Sequence, residues 1–292
     1  LQHPASMNST SSAIPATPSR TPDLVSLAKP RLNMLVVVSA VAGYVMASGD
    51  TRDVWRLLYM VVGTALVAGG ASAFNQIIER KPDALMQRTR LRPMPDGRVP
   101  TRDAWVYGSV LTIAGLAVLA FGANLLSAIV ALLTVASYAV VYTPLKRYSS
   151  FSTVIGAIPG ALPPVIGWAA ALDELSQGAW VLFGIVFLWQ LPHFLAIAWM
   201  YREDYARAGF PMLPVVEPDG RSTAHQAVIY ALALLPVSLA PTLVGMAGPI
   251  YFAGALVLSL VFIGLALKFS GTRSIPDARR LFFGSIIYLP LI

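Results

Sequence analysis

The chain has 292 residues, 56% of them hydrophobic and only 12% charged, and its mean hydropathy is +0.67; that balance excludes an ordinary soluble domain and describes an integral membrane protein. A formal charge of +7 and a pI near 9.8 could serve nucleic acid, but in so apolar a chain an excess of Lys and Arg reads as membrane topology, so the expected surroundings are a lipid bilayer and no nucleic acid. With no cysteine, disulfides, thiolate metal sites and cysteine nucleophiles are ruled out.

Residues 1–28 are rich in Ser, Thr, Pro and Ala without an apolar signal-like core, and read as a disordered tail ahead of a membrane domain over 29–292. Apolar runs follow at 32–48, 55–74, 104–121, 124–142, 151–171, 179–200, 223–245 and 249–269, each close to the length that crosses a hydrocarbon core of about 30 Å. A ninth run, 281–292, would be only about 18 Å long and reads as a partial span or as one cut within it. The expected fold is an all-α membrane bundle of about nine helices. Its fifth run carries Gly156, Pro159, Gly160, Pro163 and Pro164, which a membrane tolerates where protein or a water-filled space satisfies the freed backbone groups.

When the loops are alternated, all but Arg52 and Arg56 of the 21 Lys and Arg residues fall on the N-terminal side, which the positive-inside rule places in the cytoplasm or its organellar equivalent. The loop after the second run holds Asn75, Glu79 and Asp83 at steps of four, then Arg88, Arg90 and Arg92. Steps of four lie along one slowly drifting helical stripe, so an amide and two carboxylates can converge as oxygen ligands for a hard cation such as Mg2+, with arginines suited to phosphate close by. Pro82 removes a backbone donor and disfavours helix at Lys81, which puts Asp83 beyond a helix end. Four helices later a second polar loop, 200–214, leaves the sixth run on the same side, so the two face each other in a repeat of four-helix units. There Glu203 and Asp204 offer further oxygen ligands, or a helix-end pair balancing Arg202 and Arg207. Lys146 and Arg147, closing the fourth run, serve either topology or the same anion. Acids, cations and apolar walls on one face describe a site for a diphosphate ester with an apolar tail. A transporter is the alternative of another class, but it would place ionisable residues near mid-membrane.

From Lys29 onward the chain resembles the UbiA superfamily of membrane-embedded prenyltransferases. The superfamily motif N-x-x-x-D-x-x-x-D stands here as Asn75, Glu79 and Asp83, running into R-T-x-x-R-P as Arg88, Thr89, Arg92 and Pro93. Within the superfamily, GAIPGALPPVIGW at 156–168, LWQLPHFLAIAW at 188–199 and EDYARAGFPMLP at 203–214 are most similar to the branch that farnesylates haem. The resemblance implies two four-helix halves around a central cavity, in a bacterial inner membrane rather than a mitochondrial one. It implies transfer of farnesyl from farnesyl diphosphate to a vinyl group of haem b, with Mg2+ as cofactor and a downstream haem-modifying enzyme receiving the product. It also assigns roles: Asn75, Glu79, Asp83, Glu203 and Asp204 to the metal, Arg88, Arg92, Lys146 and Arg147 to diphosphate, and His193, Trp189 and Tyr142 to the acceptor. His193 lies inside a span, where its alternatives are a haem contact and a hydrogen bond between helices; Tyr142 and Trp189 are either aromatic faces for an allylic cation or ordinary interfacial rings. One departure stands out: Met200 occupies the place of the first acid in the superfamily's second D-x-x-x-D motif, which leaves that metal contact to Asp204 with help from Glu203. Other acceptors, an aromatic quinone precursor or a glycerol-phosphate lipid, remain open.

Overall fold

A computed structural model describes residues 20–49 and 52–292, and among them there are helices and no strands. In chain order the helices are α1 (Arg20–Leu27), α2 (Pro30–Ser48), α3 (Val54–Ile78), α4 (Arg80–Leu85), α5 (Thr101–Gly122), α6 (Leu125–Ala136), α7 (Thr143–Leu145), α8 (Ser152–Ala161), α9 (Pro163–Leu172), α10 (Gln177–Met200), α11 (Arg202–Arg207), α12 (Leu213–Val216), α13 (Arg221–Leu243), α14 (Pro249–Thr272) and α15 (Ile275–Leu291). A π-helical turn, Ser137–Tyr142, joins α6 to α7, so that Leu125–Leu145 forms one of eight segments long and apolar enough to cross a membrane. Large apolar side chains such as Phe121, Ile250 and Leu243 point outward, as they do when lipid is the solvent.

Residues 1–19 of the expected tail lie outside the described residues. The remainder differs from expectation, because Arg20–Leu27 is helical and its Leu27 is fully buried against Ala73, Ile77, Met94, Val99 and Ala104. A leucine removed from water in that way contributes about 2 kcal/mol toward ordering the segment, and Gln76 Nε2 adds a 2.9 Å hydrogen bond to the Leu27 carbonyl. The helix of the ninth run, α15, also begins earlier than the apolar run at 281–292, at Ile275, because Ser274 caps it by accepting from the Asp277 N–H and Pro276 sits in its first turn.

Apolar packing divides the bundle in two. One cluster draws Tyr44, Met60, Leu119, Ile166 and Trp168 from α2, α3, α5 and α9; the other draws Leu195, Leu234, Phe262, Phe269 and Leu281 from α10, α13, α14 and α15. The fifth span, α8 with α9, is broken at Leu162 ahead of Pro163 and Pro164, and its second half packs in the first cluster. It comes against α2 so closely that a Cβ at Gly167 would lie 1.8 Å from the Ala40 carbonyl oxygen, and one at Gly43 2.0 Å from that of Pro164. Small residues thus let backbones meet where apolar side chains gain nothing over lipid. At the end where α3 and α10 finish, the interior turns polar: Asn75, Gln76, Glu79, Asp83, Thr143 and Asp204 are all buried there.

Candidate functional site

Asn75 occupies the last turn of α3, Glu79 forms the joint, and Asp83 belongs to the short helix α4. The break therefore falls at Glu79 rather than at Lys81, and Asp83 stays helical, because Pro82 lies in the first turn of α4 where a missing N–H costs nothing. Hydrogen bonds Glu79 N–Asn75 O (2.9 Å) and Asp83 N–Glu79 O (2.8 Å) carry the four-residue step across the joint, so all three side chains remain directed inward and buried.

Each acid meets a base. Lys146 Nζ lies 2.8 Å from Glu79 Oε1, and Arg92 Nη1 lies 2.7 Å from Asp83 Oδ2; Asp204 accepts from Arg207. The second Asp83 oxygen, Oδ1, is buried without a hydrogen-bond partner among the described residues. Asn75 donates to Thr143 Oγ1 at 3.4 Å and accepts from Lys29 Nζ at 3.2 Å. Burial opposes the Lys146 charge, but Tyr142, Glu79 and Tyr205 outweigh it and hold its pKa above the ordinary lysine value. For Lys29, burial and then the Arg92 guanidinium prevail over the pull of Glu79 and Asp83, and bring it down to about 8.

The two loops meet. The Gln87 N–H points to Asp204 Oδ1 at 3.4 Å, the Arg88 guanidinium lies 5.1 Å over the Tyr201 ring, and Met86 packs with Ala198, Tyr205, Phe210 and Met212. Lys146 Nζ, already paired with Glu79, sits 5.1 Å from the Phe210 ring and 5.5 Å from that of Tyr142, so one cation touches the first loop, the second loop and the π-helical turn. Other expected residues stand apart. Glu203 is exposed, turned away from Asp204 by the 100° step between neighbours on a helix. Arg147 is exposed and donates to the Ile78 carbonyl, closing the end of α3. His193 is farther up α10: its Nδ1 is 2.7 Å from Ser285 Oγ, its ring stacks on Phe282 at 4.8 Å and on Trp189 at 5.5 Å, and Trp189 Nε1 donates to the Ser285 carbonyl at 2.7 Å. Lys29, Thr143 and Phe210 escaped sequence reading. The signal for Lys29 was a lone lysine before the Pro30 that opens α2, at the membrane face where the acids gather.

Among the described residues no three His, Asp or Glu side chains converge closely enough to hold a metal by themselves. The donor set still fits Mg2+. It consists of oxygens alone, it contains a buried carboxylate oxygen with nothing to satisfy it, and magnesium ordinarily takes one or two carboxylates with water and substrate phosphate completing its shell.

Residues 36–287 match the UbiA prenyltransferase family. The chain belongs to that family. Among UbiA relatives it is 49% identical to Protoheme IX farnesyltransferase of Solibacter usitatus, over 92% of this chain and 96% of that protein, and 45% identical to the protein of the same name from Opitutus terrae, over 96% and 95%. The fold is shared with more distant UbiA structures. One of digeranylgeranylglyceryl phosphate synthase superimposes with a TM-score of 0.79 at 16% identity, covering 93% of this chain and 95% of that one. Another, a UbiA homolog from Archaeoglobus fulgidus bound to GPP and Mg2+, gives 0.65 at 15% identity, covering 92% and 97%.

Proposed function

We propose that the chain transfers the farnesyl group of farnesyl diphosphate to a vinyl group of protohaem IX, giving haem O for a downstream haem-modifying enzyme. We place it in a bacterial inner membrane with its N-terminus and site at the cytoplasmic face, where the Lys and Arg residues concentrate. The observation that carries this reading is the polar end of the bundle, where Glu79, Asp83 and Asp204 are each paired with a base beneath apolar helices. The names of the relatives supply the acceptor.

Diphosphate would enter by partner exchange. Lys146 and Arg92 turn from their carboxylates to the phosphate oxygens, joined by Lys29 and Arg88, and the freed oxygens of Glu79 and Asp83, with Asn75 and Asp204, are those that would hold Mg2+. When bound, the metal supplies neutralisation of the diphosphate oxygens. As the allylic carbon–oxygen bond breaks, the bases stabilise the charge that grows on the leaving group in a site with little water. Tyr142 presents an aromatic face toward the developing allylic cation; the electron-rich vinyl carbon captures it, and water adds to the cation left on the neighbouring vinyl carbon and loses a proton, giving the hydroxyl without a strong base. His193 and Trp189 are assigned to the acceptor; Nε2 is the ring nitrogen left outside the bond to Ser285.

The test is labelled farnesyl diphosphate with the purified protein, offered protohaem, 4-hydroxybenzoate or a glycerol-phosphate lipid. Label on protohaem together with diphosphate release is expected; label on another acceptor alone overturns the reading.

A further inference from the structure

On the outer side of the second half, α14 and α15 leave between them a groove of about 810 Å3. Its walls are apolar, with Leu265, Phe283 and Ile287, and at one end stand Arg279 and Arg280. Gly284 lets the Leu265 side chain settle against α15 on the floor, since a Cβ there would come 2.4 Å from Leu265 Cδ1. Arg280 is about 10 Å from Ile287 along the helix at 1.5 Å per residue, so the groove runs from the water boundary into the apolar depth of the membrane.

Its charge is unbalanced. Asp277 is the acid at this end, and its oxygens are already engaged by Arg280 at 2.6 Å, Thr272 at 2.7 Å, Ser274 at 3.0 Å and Lys268 at 3.9 Å. Arg279 is exposed, and no described side chain pairs with it. Three cations against one acid, above an apolar trough, complement an anion that carries a long hydrocarbon chain. The end in question belongs to the same face as the candidate site, because Trp199 Nε1 donates to the Arg273 carbonyl at 3.0 Å and Arg202 lies 4.6 Å over the Trp199 ring. We propose that the α14–α15 groove binds an anionic phospholipid of that leaflet, with its phosphate on Arg279 and Arg280 and an acyl chain along Leu265, Phe283 and Ile287. Basic pockets between transmembrane helices hold anionic headgroups in this way.

The full-length protein, stripped of lipid and offered dioleoylphosphatidylglycerol and dioleoylphosphatidylcholine in equal amounts, should retain the anionic lipid in native mass spectrometry by about thirtyfold over the zwitterionic one, two arginines each contributing their usual share near a charged surface. Arg279→Gln with Arg280→Gln should bring the ratio close to one, and Arg279→Lys with Arg280→Lys should keep most of it. Gly284→Ile fills the trough without touching the arginines and should lower retention of phosphatidylglycerol. Equal retention of the two lipids by the unaltered protein overturns the proposal, as does a preference that survives the double glutamine change. Displacement by glycerol 3-phosphate, which has no chain, or by farnesyl diphosphate, which would make the groove a substrate entrance, overturns it too.

Discussion

Asp83 concentrates the chemistry of the site in one side chain. It is fully buried, one oxygen takes the Arg92 guanidinium, and the other has no partner among the described residues. A buried carboxylate oxygen in that state costs stability unless a further group completes its shell. Asp83→Ala and Asp204→Ala should each lower turnover by about a hundredfold or more, the scale lost with a single group that stabilises developing charge, while the protein still enters the membrane; near-normal rates in both variants, measured as diphosphate release, would remove these residues from the site. The buried Glu79 is paired with the partly buried Lys146. Lys146→Met leaves Glu79 charged and unmatched and should destabilise the protein by about 3 kcal/mol, whereas Glu79→Gln with Lys146→Met should regain most of that stability and none of the activity. A thermal inactivation series read beside turnover distinguishes the two effects.

At the scale of elements, α2 against α9 and α10 against α15 do different work. The first contact is a backbone fit, so Gly167→Ala, which brings a methyl against the Ala40 carbonyl, should cost about 3 kcal/mol in thermal stability with little change in substrate affinity. The second is a polar and aromatic seam through His193, Ser285, Trp189 and Phe282. His193→Ala should weaken use of haem more than binding of diphosphate, seen as a split between the two KM values; equal changes in both would leave His193 as a link between helices. Sequence made the spans plain, because hydropathy over about 20 residues is governed by the thickness of the bilayer. It did not show their ends, since α15 starts among Asp277, Arg279 and Arg280, where capping outweighs polarity, and it did not show the π-helical turn that carries Tyr142. The run Asn75, Glu79, Asp83 was legible because a helix repeats every 3.6 residues. Lys29 was not, because its partner Asn75 is 46 residues away, and pairing of that kind is set by which helices pack together rather than by local period.

For the molecule as a whole, the proposal turns on which side of the bilayer the polar end faces. We propose from the Lys and Arg asymmetry that it faces inside, and the absence of cysteine makes that directly measurable, since any thiol introduced is the chain's only one. Pro218 is exposed in the segment between α12 and α13, at the end with the candidate site, and Glu174 is exposed between α9 and α10 at the opposite end. In intact spheroplasts a membrane-impermeant maleimide should label Glu174→Cys and leave Pro218→Cys untouched until the membrane is opened. Turnover measured in the same preparations confirms that each variant is folded. The reverse pattern would turn the acids and bases toward the outside, away from a cytoplasmic supply of diphosphate ester, and the assigned substrate would fall with the topology.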